Sequence, residues 1–166
     1  MAVCRPSQEV DDLSSRSKIP FPVKVPFVER LGLELHACAD GASEVRVDLA
    51  ESHMNSWEVA HGGVLMTMLD VAMAMAARSQ NLDGPGVATI EMKTSFMRPG
   101  EGELRALGKL LHRTATMAFC EATVLDADGA ICAHATGTFK YVRALPARDR
   151  TLKPLQRSDS NLDPHS

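Results

Sequence analysis

The residue in this sequence that most suggests chemistry is Asp70, a carboxylate inside a strongly apolar stretch. Twelve of the fourteen residues 64–77 are apolar, and Asp70 is the one charged residue among them. An ionised carboxylate in apolar surroundings is costly unless it is paired, hydrogen-bonded or neutralised by a raised pKa, and such costs often mark functional sites. The alternative is an ordinary helical aspartate that faces solvent or bonds a backbone amide. Composition alone does not separate the two.

A second candidate feature, His61-Gly62-Gly63, lies at the start of the same stretch. The first amides of a helix lack intrahelical partners and carry partial positive charge, so a helix beginning here can polarise a carbonyl. Two glycines lower helix propensity by roughly 1 kcal/mol each, a cost that is understandable where a ligand approaches the backbone. The alternative is that the glycines only let the helix pack closely against a sheet.

The spacing of Gly62 and Asp70 has a consequence that neither residue has alone. Eight residues of helix separate them by about 12 Å along the axis and about 80° around it. One scissile carbonyl cannot contact both. If both residues are catalytic, Asp70 must act with Gly62 of a second copy, which requires two antiparallel helices in a symmetric dimer. A monomer is then expected to be inactive.

The elements that position these residues can be predicted from periodicity. The helix is expected from about His61 to the breakers at 81–85, buried all round because nearly all its residues are apolar. Strands are expected at 33–39 and 44–49, joined by a tight Asp40-Gly41 turn, and later at 88–96, 103–112 and 131–141. We expect four or more consecutive antiparallel strands after the helix, and a short helical turn at 27–31. In the first of these strands, alternation places Thr89 with Glu91 on the face opposite to Ala88 and Ile90.

Composition limits the class of protein. The 166 residues fit one domain, and a net charge of −3 gives no basic excess for nucleic acid. The four cysteines form no C-x-x-C pair, which favours a cytoplasmic protein without a metal site, and no apolar run is long enough for a membrane span. Residues 1–26 and 144–166 are polar and aperiodic, so we expect flexible tails around a domain at 27–143.

Two stretches together resemble a known family. Asn55 lies six residues before His61, Gly62-Gly63 follow directly, and Asp70 is nine residues beyond the histidine. This pattern resembles the hot-dog-fold acyl-CoA thioesterases of the PaaI-like (phenylacetate-pathway) family. Segments 94–100 and 135–139 resemble the family's strand ending in Arg-Pro and its closing strand, so the similarity covers roughly 28–143. The resemblance implies an α+β hot-dog fold, in which an antiparallel sheet of about six strands wraps around one long central helix.

The family also implies roles for these residues. The Gly62 amide of a partner chain would polarise the thioester carbonyl, and Asp70 would act as nucleophile or as general base for water. Asn55 would orient the water or thioester, and His61 would steady that loop or the sulfur, unless its role is only structural. The substrate would be an aryl-, phenylacetyl- or medium-chain acyl-CoA, with no separate cofactor, and the partner a second copy, with homodimers pairing into a homotetramer.

Weaker candidates complete the predicted site. Thr89 is the one hydroxyl near the place where relatives often have a Ser or Thr, and Met66, Met68, Met73 and Met75 either line an acyl pocket or fill core gaps. Substrate binding is further assigned to Gly63, Arg98, Arg113, Thr114 and Thr116, of which the arginines and threonines lie at strand ends. Two other functions are the alternatives: an acyl-CoA-binding or regulatory module without turnover, and a hot-dog dehydratase or hydratase, whose local motifs are absent.

Overall fold

The structure, a computed structural model, describes residues 17–142 and contains one long helix and six strands. The elements are α1 (Pro26–Arg30), β1 (Glu34–Ala39), β2 (Ala42–Asp48), α2 (Gly62–Arg78), β3 (Gly86–Phe96), β4 (Glu103–Arg113), β5 (Met117–Leu125) and β6 (Ile131–Val142). The predicted order of two strands, a helix and four strands is confirmed. So is the β1–β2 turn, where Asp40 and Gly41 both have positive φ (50° and 80°), as a two-residue hairpin loop requires.

The sheet is antiparallel throughout, in the order β1-β2-β4-β5-β6-β3. The four antiparallel strands expected after the helix are present, but only β4, β5 and β6 form a meander, so the expectation of one meander through all four is wrong for β3, which pairs with β6 instead of β4. The segment after β3 is not a tight turn. Its Gly100 carbonyl accepts from the Ala60 amide, and its Gly102 carbonyl accepts from the Leu49 amide, which brings the chain across to β2.

Helix α2 packs against the concave face of the sheet through small residues. The Ser43 hydroxyl donates to the Ala72 carbonyl at 2.6 Å, and a Cβ on Gly108 would overlap that same carbonyl. The helix can therefore lie close to β2 and β4 only because these positions are small. The core lies between the helix and the sheet, and its largest fully buried side chains include Met68, Leu69 and Met73 of α2 and Leu104 and Phe139 of the sheet.

One side of α2 is only partly covered by the described residues. Gly63 and Met66 are exposed, and Thr67, Asp70 and Ala74 are partly exposed. These positions recur every three or four residues and so form one stripe along the helix. The expectation of a helix buried all round is wrong for this stripe, because a curved sheet covers only the side it faces.

The segment before α1 contacts the domain, although the sequence analysis placed it in the N-terminal tail. The Ile19 amide donates to the Leu35 carbonyl at 2.8 Å, and Phe21 packs against the core. Apolar residues at 19, 21, 23 and 25 alternate with Pro20, Pro22 and Lys24. The remainder of the two predicted tails, 1–16 and 143–166, lies outside the described residues.

Within 17–142, no helix has the length and apolar character needed to cross a membrane.

Candidate active site

Asp70 lies midway along α2, where its carboxylate meets β3. The Thr89 hydroxyl donates a hydrogen bond of 2.7 Å to Oδ1 of Asp70. No second partner of this carboxylate is found among residues 17–142. Oδ2 is therefore left to accept a proton or to attack a bound molecule.

Thr89 reaches Asp70 because β3 contains a bulge. The register of β3 with β6 shifts between Thr89, which pairs with Phe139, and Glu91, which pairs with Thr138. Ile90 is the extra residue, so the alternation of faces reverses there. Thr89 lies on the inner face of the sheet, which faces α2, together with the buried Phe139. The prediction that Thr89 shares a face with Glu91, away from the site, is therefore wrong. A bulge of this kind has no signature in an alternating sequence.

The surroundings of Asp70 shift its acidity in a direction useful for catalysis. Burial raises the pKa of Asp70 above its ordinary value of 3.8, and the Thr89 hydrogen bond opposes this by favouring the ionised form. A raised pKa makes the carboxylate a stronger base and a stronger nucleophile at neutral pH.

Asp70 and Thr89 line a large apolar cavity between α2, β3 and the segment before α1. Its volume is about 800 Å³, within the range of small-molecule sites. Helix α2 contributes Met66, Thr67, Val71, Ala74, Met75 and Arg78 to the wall, and the strands contribute Val87, Met92 and Val142. The N-terminal segment contributes Phe21, Val23 and Val25, and α1 contributes Phe27. The carboxylate therefore faces a space suited to an apolar acyl group.

The start of α2 has one amide free to bind a ligand. The His61 side chain caps the helix, and its Nδ1 accepts from the Gly63 amide at 2.9 Å. Because Nδ1 is the acceptor, the ring proton of the neutral imidazole is on Nε2. The same bond occupies the Gly63 amide, which therefore cannot bind a ligand. The Gly62 amide has no acceptor among the described residues, so of the two glycines it is the one able to polarise a carbonyl.

Asn55 shapes the loop that precedes α2. Its Oδ1 accepts from the Trp57 amide at 2.8 Å, and its backbone bonds Val59 and Glu58. Glu58 has a positive φ of 60°, so the loop is tightly turned. The side-chain amide of Asn55 keeps its two N–H groups free of described partners, and these can bind a ligand.

The predicted catalytic residues form two separate groups within one chain. Asp70 and Thr89 line the cavity, whereas Asn55, His61 and Gly62 lie at the helix start and do not. A Cβ on Gly62 would lie 3.5 Å from the Phe96 ring, at the far end of β3 from Thr89. This separation agrees with the helical spacing of Gly62 and Asp70.

The residues predicted to contact coenzyme A lie at opposite ends of the sheet. Arg98 donates to the Ile131 carbonyl at the end of the sheet near the helix start, and it shares a small pocket with the acidic residues Glu101, Asp126 and Asp128. Arg113 lies at the opposite end, roughly 30 Å away along the strands, where it bonds Gln80 and stacks over Tyr141. Thr114 holds the β4–β5 turn by accepting from the Met117 and Thr116 amides.

Sequence reasoning missed part of the cavity wall. The N-terminal segment was assigned to a tail, although the alternation of apolar residues with prolines at 20–25 was a usable signal. Arg78, the one cation of α2, was not singled out. Of the four methionines, Met66 and Met75 line the cavity, whereas Met68 and Met73 are fully buried in the core.

The described residues offer little other reactive chemistry. No group of three or more His, Cys, Asp or Glu in 17–142 could hold a metal ion. Burial raises the pKa of the Cys38 and Cys132 thiols, and that of Cys120 to about 12, which disfavours the nucleophilic thiolate.

Comparison with known proteins assigns the architecture. The family model of the thioesterase superfamily matches residues 58–133, from the loop before α2 into β6. A candidate esterase of Saccharolobus solfataricus is 31% identical over 104 residues, which are 62% of this chain and 74% of that protein.

Solved structures agree with this assignment. A conserved protein of Pseudomonas aeruginosa superposes with a TM-score of 0.69 at 31% identity, covering 73% of this chain and 97% of the other. A mutant of the phenylacetic acid degradation protein PaaI from Thermus thermophilus gives a TM-score of 0.64 at 26% identity, covering 71% and 100%.

Proposed function

This chain belongs to the thioesterase superfamily, as a PaaI-like member with the hot-dog fold, and we propose that it hydrolyses acyl-CoA thioesters to the free acid and coenzyme A. The observation that carries the proposal is the Asp70 carboxylate, which is bonded to Thr89 and faces an apolar cavity of about 800 Å³. An apolar acyl group, of the aryl, phenylacetyl or medium-chain type, fits such a space.

Asp70 acts on the thioester carbonyl carbon by one of two routes. As general base, its Oδ2 accepts a proton from water while the water oxygen forms the new C–O bond. As nucleophile, it forms a mixed anhydride that water then cleaves. In both routes the C–S bond breaks, and the coenzyme A thiolate takes its proton from Asp70 in the first route and from water in the second. Thr89 supports either route because its hydrogen bond to Oδ1 favours the ionised form of the carboxylate and fixes its orientation.

The carbonyl oxygen gains negative charge in both routes and needs a donor. The free Gly62 amide, at the positive end of the α2 dipole, is suited to that task. Since Gly62 and Asp70 of one chain are far apart, the donor comes from a second copy. His61 positions this helix start by capping it, and the amide of Asn55 orients the water or the thioester.

Two features of the chain support such a homodimer. Strand β3 is an edge strand of 11 residues whose outer side pairs with no strand of residues 17–142, and Ile90 and Phe96 are exposed on it. The stripe of α2 that carries Asp70 is also open. Pairing two copies along β3 would place the two helices side by side. Exposed Leu107 and Phe119, on the face of the sheet away from α2, support a further pairing of dimers.

A panel of acyl-CoAs tests the proposal. Aryl, phenylacetyl and straight-chain thioesters are incubated with the full chain, free thiol is measured, and the substrates are ranked by kcat/KM. Thiol release that depends on Asp70 is expected. Tight binding without release would instead indicate a binding or regulatory module, and hydration of an enoyl-CoA without thiol release would indicate a hydratase.

A further inference from the structure

The charges in the cavity wall are few and far apart. Among the described residues that line it, only Asp70 and Arg78 carry a charge, and the others are apolar, small or, at two positions, threonine. No ion pair joins these two residues, and Arg78 is not among the causes of the shift in the Asp70 pKa. The wall of one apolar cavity thus includes an aspartate midway along α2 and an arginine at the end of the helix.

The Arg78 guanidinium is buried and incompletely satisfied. The residue is 7% exposed, its Nη2 donates to the Leu82 carbonyl at 2.7 Å, and its Nε is shielded from solvent without an acceptor. No carboxylate of residues 17–142 lies within ion-pair distance of it. Burying a cation without a counter-charge destabilises the folded protein. An exposed cation at the end of the helix would interact equally well with the helix dipole.

A ligand carboxylate would supply the missing partner. The guanidinium presents its remaining N–H groups in a planar fork that matches a carboxylate, and such charge-assisted bonds are strong in apolar surroundings. The same carboxylate would be rejected by the cavity if Arg78 were absent, because its burial would be uncompensated.

The spacing of the two charges sets the length of such a ligand. Eight residues of helix place Arg78 about 12 Å beyond Asp70 along the axis. An extended chain advances about 1.2 Å per bond, so this span corresponds to roughly ten bonds. Because the contacts at the two ends, each about 3 Å long, take up part of this span, the chain shortens to about six to ten carbons.

We propose that Arg78 is a specificity residue for acyl groups that end in a carboxylate, so that the preferred substrates are ω-carboxyacyl-CoAs. This inference rests on the proposed thioesterase function. The thioester carbonyl lies at Asp70, the methylene chain lies along the apolar wall of α2 and the N-terminal segment, and the distal carboxylate meets Arg78.

Matched pairs of substrates test this specificity. Thiol release by the full chain is measured with adipyl-, suberyl- and sebacyl-CoA and with hexanoyl-, octanoyl- and decanoyl-CoA, and kcat/KM is compared within each pair of equal carbon number. The wild-type protein is expected to favour the carboxylated member of at least one pair roughly tenfold to a hundredfold. Equal rates, or a preference for the plain chains in every pair, would overturn the inference.

Variants at Arg78 sharpen the test. Arg78→Met is expected to reverse the preference, and Arg78→Lys to retain part of it, since lysine keeps the charge but not the fork. Each ratio is taken within one preparation, so partial unfolding cancels. If Arg78→Met does not fold, the lysine variant and the wild-type ratios still decide the matter. An unchanged ratio in a folded Arg78 variant contradicts the inference.

Arg30→Met, at an exposed arginine of α1 away from the cavity, serves as the matched control. The ratio should stay at its wild-type value, and an equal change would mean that general charge, not Arg78, sets the preference. Failure of the underlying function looks different, because no acyl-CoA of either series would then release thiol.

Discussion

At the scale of single residues, Asp70 combines reactivity with a cost in stability. Because burial raises its pKa, the folded chain disfavours the ionised form that catalysis needs. The unfolded chain has the ordinary pKa of 3.8. The ionised Asp70 therefore lowers the free energy of unfolding by its full amount above the folded-state pKa, and this effect disappears as the pH falls well below 3.8.

Asp70→Asn is expected to abolish most activity while making the protein more stable. The amide still accepts from Thr89 but neither takes a proton nor attacks, so kcat should fall by about 10²–10⁴-fold. Removing the buried charge should raise the unfolding free energy at pH 7 by about 0.5–2 kcal/mol. Activity assays measure the loss of turnover, and thermal unfolding at pH 7 and pH 3.5 measures the stability gain, most of which should be lost at the lower pH. Unchanged turnover would exclude Asp70 from the chemistry.

Thr89→Val removes the hydroxyl that holds Asp70 without changing the volume much. Since the Thr89 hydrogen bond lowers the pKa of Asp70, its loss should raise that pKa. The acid limb of the kcat/KM profile should therefore move to higher pH, and activity at neutral pH should fall. Thr138→Val is a matched control, because the Thr138 hydroxyl makes a similar 2.9 Å bond to Glu91 on β3. A shift of equal size in the control would mean that the profile reports something other than the Thr89–Asp70 bond.

At the scale of elements, α2 carries both parts of the proposed chemistry but keeps them apart. Its capped start leaves the Gly62 amide free, and its middle places Asp70 against β3. One helix therefore cannot complete a site by itself, and the free helix start becomes useful only when it meets another copy.

Gly62→Ala tests whether substrate approaches this helix start. The new Cβ would meet the Phe96 ring at an ordinary 3.5 Å, and alanine favours a helix by about 1 kcal/mol over glycine, so the thermal midpoint should hold or rise. Activity should fall by about 10²–10³-fold if the amide stabilises the oxyanion, because the methyl group crowds the carbonyl. Full activity in a folded variant would rule out close approach at Gly62.

Gly63→Ala provides a contrast at the neighbouring position. Its Cβ would lie 3.0 Å from Nδ1 of His61 and disturb the cap, so here stability should fall together with activity.

At the scale of the whole molecule, the proposed site belongs to two chains, and mixing variants tests this. Asp70→Asn and Gly62→Val chains are each expected to be inactive alone. After unfolding and refolding together in equal amounts, half of the dimers are mixed, and each mixed dimer has one intact site, so about a quarter of the wild-type sites should return. Size-exclusion chromatography of the same samples confirms that dimers form. No recovered activity in mixed dimers would contradict the shared site.

Much of this architecture could be predicted from the sequence because it depends on local periodicity. The limits of α2, the β1–β2 hairpin and the apolar setting of Asp70 follow from residues close to one another in the chain. The eight-residue spacing of Gly62 and Asp70 is likewise fixed once the helix is recognised.

Only the tertiary structure decided the features that depend on distant strands. The bulge at Ile90 reverses the face of Thr89, the pairing of β3 with β6 makes β3 an edge, and residues 21–27 close the cavity wall. Each results from register or packing between segments far apart in sequence, which alternation within one segment does not specify. The same is true of Arg78, because its charge can be read from the sequence, whereas only the fold shows that it is buried in the wall of the Asp70 cavity with no counter-charge among residues 17–142.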